Sequence, residues 1–511
     1  MRPVLIAALA AACLLGQAAR ATTSPSGDTL AAPEPPGPRG ALERALGEAN
    51  RNDGAAVLRE IRPVISGAGF QVLTAPEQLL ALDLAGFGAV TTGDMALARD
   101  VTRRATAMPE ADGLAWALRL QAALIREDQD DAVLGLTRLA QRWPSELGRF
   151  TDLAIVRTAG SASRLPDGDP RRLQLLAALR ASGWTPQDPS FDLSALWREL
   201  VRGLLRTGDV AGAAEVSRAI DAPYVLIAMG VERAFDPVTQ AAPDRFSVGP
   251  AMDRQVAGLR ARLAAVPGDL AAASRLAAAL DLQGRSPEAL AVLDRALAAP
   301  ETNDLVKARA GFDDPRTWAM DARSRVLVHL GRTAQAAAQL SAAAQRPEHG
   351  LANASQTINL GLLYGRMGRS RNALDVVARL DAGSVSAFGR MQAEEARLMA
   401  RLQLGDADGT ARALAFARAH AADAPGAFTE MLVLAGDLDG AARSCLDRLA
   451  DPRQRGAALL ALQGWRPEPA LSPFDKAAQD RWLQLRTRPD VQAAALNVGR
   501  LQSYGLFKEP G

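Results

Sequence analysis

Two short stretches carry carboxylates at a spacing that could hold a cation: GDADG, with Asp406 and Asp408, and GDLDG, with Asp437 and Asp439. A calcium loop alternates oxygen ligands in this way, but it also needs further oxygen ligands and a closing glutamate. Neither stretch supplies them, so each reads as an inter-helix turn. The acid pairs Asp130-Asp131 and Asp313-Asp314 could be drawn as glycan-cleaving carboxylates, which must face each other across a cleft at a set separation. Sequence does not supply that separation, and solvated turns explain the pairs better. Asp-Pro occurs at 169–170, 188–189, 236–237, 314–315 and 451–452. Asp caps exposed amides and Pro suits the first helical position, so these are helix starts.

Other chemistry is not visible. His329, His349 and His420 form no helical pair spaced for zinc and have no neighbouring cysteine. Gly-x-Ser-x-Gly and phosphate-cradling glycine loops are absent. Cys445 falls at a core-facing phase of a helix, where a thiol is a small buried hydrophobe. No catalytic residue, metal or cofactor is expected.

The elements that must position these residues are helices. The chain has 511 residues, 48% of them hydrophobic but only 4% aromatic, and is dense in the helix formers Ala, Leu and Arg. At this length it is several domains or one array of repeats. The stretch LGLLYGRMGRSRNAL places Leu360, Gly361 and Tyr364 before Gly368, and Ala373 five residues after it. Gly284 with Ala289 and Gly331 with Ala336 repeat the step, and Gly93 with Ala98 and Gly208 with Ala213 do so earlier. Gly405 and Gly436 take the same role, and Trp116 and Pro144 bracket a further unit. Apolar residues three and four apart before the glycine mark one helix, and those after it mark a second. The glycine ends the first helix in a left-handed turn, while Gly361, Ala277 and Ala373 sit where two axes cross closely. One hairpin cannot bury its apolar face alone, so hairpins must stack.

On Leu360, Gly361, Tyr364, Ala373 and Val377, with Trp116 and Pro144, the chain resembles the tetratricopeptide repeat family. The resemblance implies an all-α fold, an α-solenoid of stacked antiparallel hairpins winding as a right-handed superhelix. Most units lack the Trp of the pattern. Segments rich in Pro, Gly and Asp around Pro166 and from Glu232 to Arg254 interrupt the array. The expected organisation is a signal peptide over 1–21, a Pro/Gly-rich spacer over 22–39, an irregular array over 40–235, a joint over 236–254 and a second array over 255–511.

The signal reading rests on Arg2, the apolar run Val4–Leu15 and Ala19-Arg20-Ala21, which together imply a periplasmic or secreted protein. A rival is a lipoprotein box ending at Cys13, whose acylation would anchor the chain. Cleavage after Ala21 removes two arginines and no acid, and the formal charge of +2 falls to zero. A neutral chain without basic clustering is not a nucleic-acid binder. No later apolar run is long enough to cross a membrane.

The resemblance further implies a concave face that binds a peptide or protein. Carried onto the best unit, its inner positions are Ser355, Ile358, Asn359, Leu362 and Arg366. Asn359 matches a carboxylate-holding position of one subset of the family, but the next unit offers Gln392 and Glu395 where that subset needs bases. Arg397 and Arg401 would add charge for acidic groups, and Trp318 would be an aromatic anchor. The expected function is therefore an exported scaffold or adaptor for protein or peptide partners of the cell envelope, without catalysis. The alternatives are an envelope enzyme cleaving glycans on a helical superstructure, and an accessory factor for polysaccharide export or secretion.

Overall fold

The structure, a computed structural model, describes residues 37–508 apart from 163–164, 166–168, 189–190, 300–313, 349–351, 382 and 384. The expected signal, Cys13, Pro166, Asp313, His349 and most of the spacer lie outside the described residues. The last of the spacer, Pro38 and Arg39, already belongs to the first helix.

Among the described residues regular structure is helical, with two isolated β-bridges. The chain divides into two compact units, residues 1–204 and 205–511. The first contains α1 (Pro38–Asn50), α2 (Gly54–Ser66), α3 (Ala75–Thr92), α4 (Met95–Ala107), α5 (Gly113–Arg126), α6 (Gln129–Arg142), α7 (Asp152–Ser161), α8 (Pro170–Ala181) and most of α9 (Ser194–Arg206). Each of α1 to α6 packs on the next, around a core that includes Ile61, Leu82, Phe87 and Val101. The second unit contains α10 (Val210–Ser217), α11 (Pro223–Val231), the single turn α12 (Asp236–Thr239), α13 (Val248–Ala265), α14 (Leu270–Leu282), α15 (Ser286–Ala298), α16 (Pro315–His329), α17 (Thr333–Ala344), α18 (Ser355–Arg366), α19 (Ser370–Val377), α20 (Ala387–Leu404), α21 (Ala407–Ala419), α22 (Pro425–Ala435), α23 (Leu438–Ala450), α24 (Arg455–Ala461), α25 (Pro473–Thr487) and α26 (Pro489–Val498). From α14 to α23 these are antiparallel hairpins stacked in sequence, an α-solenoid.

The local cause of each hairpin lies at its turn. Gly93, Gly208, Gly284, Gly331, Gly368, Gly405 and Gly436 have φ between 69° and 83°, a region that costs other L-residues about 1–2 kcal/mol. At five of them the following residue donates its amide to the carbonyl five positions back, as in Arg285 to Leu280 at 2.9 Å and Arg369 to Tyr364 at 2.9 Å. That bond satisfies a carbonyl the helix end leaves open. The next helix is then capped by a side chain where Asp follows: Asp406 accepts from the Gly409 amide at 2.9 Å and Asp437 from Gly440 at 2.8 Å. These carboxylates of GDADG and GDLDG are caps. Ala98, Ala213, Ala289, Ala336 and Ala373 follow their glycines by five residues and are wholly buried, which lets the paired axes approach. A Cβ on Gly361 would lie 2.6 Å from Val377 and 3.4 Å from Ala396, so the first helix of that unit touches its neighbours through bare backbone.

The second unit returns on itself. The core runs from Ile227 and Val231 of α11 through α14 to α18, and on through α22 and α23 to Leu459 and Leu462, and α24 packs on α11. The ends are tied by a bridge between Glu232 and Gly499, by the Arg500 amide on Val231 O at 2.8 Å, and by an Arg500–Asp236 ion pair at 2.7 Å.

The expected joint over 236–254 is not where the units divide. Phe235, Val238, Phe246 and Met252 are buried, so this Pro-rich segment is a wall of the second unit. The arrays also end before the C-terminus: after α24 the chain leaves the hairpin pattern and lies along the stack. Among the described residues no helix is long and apolar enough to cross a membrane.

Candidate functional site

The inner positions expected to bind a peptide lie on α18 and α20, and most are engaged within the chain. Ser355 opens α18 and its amide bonds Glu348 at 3.0 Å. Ile358 is only 3% exposed and belongs to the core with Val385, so it is not a surface contact. Asn359 donates to Asp321 at 3.1 Å, an acid also held by Arg325 at 3.0 Å. Leu362 packs partly buried between two core clusters, and Trp318 is partly buried on α16.

The three arginines are not free groove charges. Arg366 pairs with Glu468 at 3.0 Å and Asp475 at 3.1 Å. Arg397 pairs with Glu394 at 2.9 Å and donates to Val377 O. Arg401 pairs with the same Glu394 at 3.0 Å and donates to Gly409 O. The physical reason is local for two of them, since Glu394 is on their own helix. For Arg366 it is the C-terminal segment, which the repeat pattern does not foreshadow.

That segment, residues 463–508, runs along the C-terminal ends of the first helices of the hairpins. Arg481 donates to Leu434 O at 2.9 Å, and Ser472 lies against the turn at Gly368. The Arg466 guanidinium crosses the turn at Gly284 so closely that a Cβ there would stand 1.4 Å from Nη1. Absence of a side chain at Gly284 therefore serves the contact as well as the turn. Trp465 stacks between Tyr224 and Tyr504, with ring centroids 5.3 and 5.1 Å away, and burial pushes the Tyr504 hydroxyl up to about 12. Phe507 stacks on His329 at 4.0 Å beneath Arg466, its amide donates to Leu282 O at 2.8 Å, and its carbonyl accepts from the Tyr224 hydroxyl. His329 is in turn held by Asp281 at 2.8 Å, which accepts from Ser286 at 2.6 Å. The Ser286, Asp281 and His329 side chains put Asp in the middle, so the imidazole does not reach the hydroxyl and the set positions the helix ends.

Sequence reasoning passed over this segment. A signal existed: in a chain with 4% aromatic residues, Trp465, Phe474, Trp482, Tyr504 and Phe507 crowd into the last fifty.

Two further features stand out. Glu395 of α20 has its carboxyl well above the ordinary range, through burial first and the Glu430 carboxylate second, with Lys508 opposing. A cleft of about 660 Å³ opens between α21, α22 and α23, with Arg418, Phe428, Leu432, Arg443, Ser444 and Arg448 in its wall. Among the described residues no group of three or more His, Cys, Asp or Glu side chains is placed to hold a metal ion.

No protein-family model matches the chain, and no curated protein matches it. Among solved structures it is similar to the APC/C Cut9–Hcn1 hetero-tetramer, at 12% identity over 90% of this chain and 89% of that one, with a TM-score of 0.28. It is similar to Naa15/Naa10 bound to HypK-THB, at 14% identity over 90% and 75% of the two chains, with a TM-score of 0.28. A circular tandem repeat protein of novel topology matches at 14% identity over 96% and 98%, with a TM-score of 0.16. Likeness at these scores carries no functional argument, and the repeat reading rests on the hairpins themselves.

Proposed function

We propose that the chain is an exported scaffold that holds protein or peptide partners of the cell envelope and performs no catalysis of its own. One observation carries the reading: the second unit already holds a peptide, its own C-terminal segment. Residues 499–508 lie largely outside regular structure, are fixed by main-chain bonds at Val231, Leu282 and Gly464, and anchor through the Tyr504 and Phe507 rings. Main-chain bonds and aromatic anchors in pockets are both recurring means of holding an extended peptide. The envelope setting is supported by the apolar run Val4–Leu15 and the Ala19-Arg20-Ala21 ending.

The test is affinity capture of the chain, from Thr22 onward, out of an envelope extract, with Phe507→Ala beside it and partners identified by mass spectrometry. A partner recovered reproducibly, with recovery changed by the Phe507 variant, supports the scaffold. No partner, together with turnover of an envelope glycan that Glu395→Gln abolishes, would replace it by the enzyme reading, which draws on the raised carboxyl of Glu395 beside Glu430.

A further inference from the structure

Arg448 is a buried cation without an anion. It lies on α23, is 8% exposed, and lines the 660 Å³ cleft. Its Nη1 donates to the Thr429 hydroxyl at 3.1 Å, and Thr429 in turn meets Ser444 Oγ at 2.8 Å. Its Nε is buried and unpartnered, and no carboxylate of the described residues pairs with it. Burial draws the guanidinium below its ordinary range, against the weaker influence of Cys445 and Glu430. A fold that needed only packing here would place an apolar side chain, because an unpaired buried charge is strongly unfavourable.

The carboxylates in the same wall do not fill the role. Asp437 caps α23 through the Gly440 amide, and Asp451 accepts from the Arg453 amide and from Gln454. Asp447 is exposed on the rim, as are Arg418 and Arg443. Phe428 and Leu432 of α22 supply an apolar wall beside the guanidinium. Nη1 is taken by Thr429 and Nε is sealed, so the donor of Arg448 left for a ligand is Nη2, which suits a carboxylate oxygen. The cleft has the volume of a small-molecule site.

We propose that this cleft binds a small organic carboxylate carrying an apolar group, with the carboxylate on Nη2 of Arg448 and the apolar group against Phe428 and Leu432. The site is independent of the C-terminal segment and of the scaffold reading. Ligand-detected NMR and thermal-shift titration of the whole chain test it with N-acetyl-leucine, its neutral amide N-acetyl-leucinamide, and inorganic phosphate. The acid is expected to bind and raise the unfolding midpoint, and the amide and phosphate are not. Arg448→Met, close in shape but neutral, is expected to weaken the acid by about tenfold to a hundredfold, and to raise the midpoint of the ligand-free protein. Equal binding of acid and amide, binding of phosphate alone, no binding of the acid at millimolar concentration, or an affinity unchanged in the variant overturns the proposal. The comparison of acid with amide needs no variant, so a misfolded Arg448→Met leaves it decidable.

Discussion

Replacing Phe507 by alanine asks whether the C-terminal segment is part of the fold of the second unit. The ring is 7% exposed, stacks on His329 at 4.0 Å and lies under the Arg466 guanidinium at 5.3 Å. Truncation of a buried Phe costs about 3–5 kcal/mol where the site cannot collapse. Here the segment is close to the chain end and can instead detach as a unit, which limits the loss to the free energy of docking that segment. The expected cost is therefore about 3 kcal/mol. At a denaturant slope of about 3 kcal/mol/M in urea this moves the midpoint by about 1 M. The assay is equilibrium unfolding of the chain by circular dichroism, with hydrogen exchange at the Phe507 and Tyr504 amides, which donate to the Leu282 and Gly464 carbonyls. The control is Phe388→Ala on α20, where the ring is 46% exposed and a surface change within about 0.5 kcal/mol is expected. A Phe507 variant that behaves like the Phe388 variant, with exchange unaltered, would refute the reasoning that the segment is docked.

Asp83 of α3 is 1% exposed, neither carboxyl oxygen has a partner, and its pKa is raised well above the ordinary value, by burial first and the Asp112 charge second. With the folded pKa above the unfolded one, the native state keeps the proton longer, so stability falls as pH rises from about 4 toward the folded value. Asp83→Asn removes this slope, so its midpoint relative to the native chain should climb between pH 4 and 8, and a constant offset would contradict the burial argument. Gly331→Ala, at φ 72° with no atom within 4 Å of the new Cβ, should cost about 1 kcal/mol from backbone strain alone. Gly258→Ala on α13, in equally open space and ordinary helical geometry, should gain about 0.5–1 kcal/mol, and thermal denaturation of the pair reads the difference in sign. Cys445 is 2% exposed and its thiol is raised by burial, so a thiol reagent at pH 8 should label the native chain far more slowly than the urea-unfolded chain; equal rates would show that α23 opens freely.

What the sequence discloses follows the range of the interaction. A left-handed turn is a one-residue event, so Gly284, Gly331 and Gly368 announce it, whereas the turn between α5 and α6 uses Glu127 at φ 58° and leaves no such mark. Burial of Ala289 or Ala373 is equally local, set by a five-residue step from the turn to the helix crossing. The groove arginines could not be read this way. Helical phase puts Arg366 at the inner end of α18, but its partner Asp475 is 109 residues away, and the segment carrying it follows no repeat. The joint at 236–254 fails for a different reason. Pro and Asp report how the backbone bends, not whether the intervening Phe235, Val238 and Phe246 are covered, and here they are. Arg448 shows the same limit from inside a repeat: its position on α23 is legible, but the missing anion is a fact about every neighbour at once. A solenoid sequence thus states its hairpins residue by residue, while the closure of α24 on α11 and the seat of Phe507 on Tyr224, Leu282 and His329 arise from contacts between residues well over a hundred positions apart.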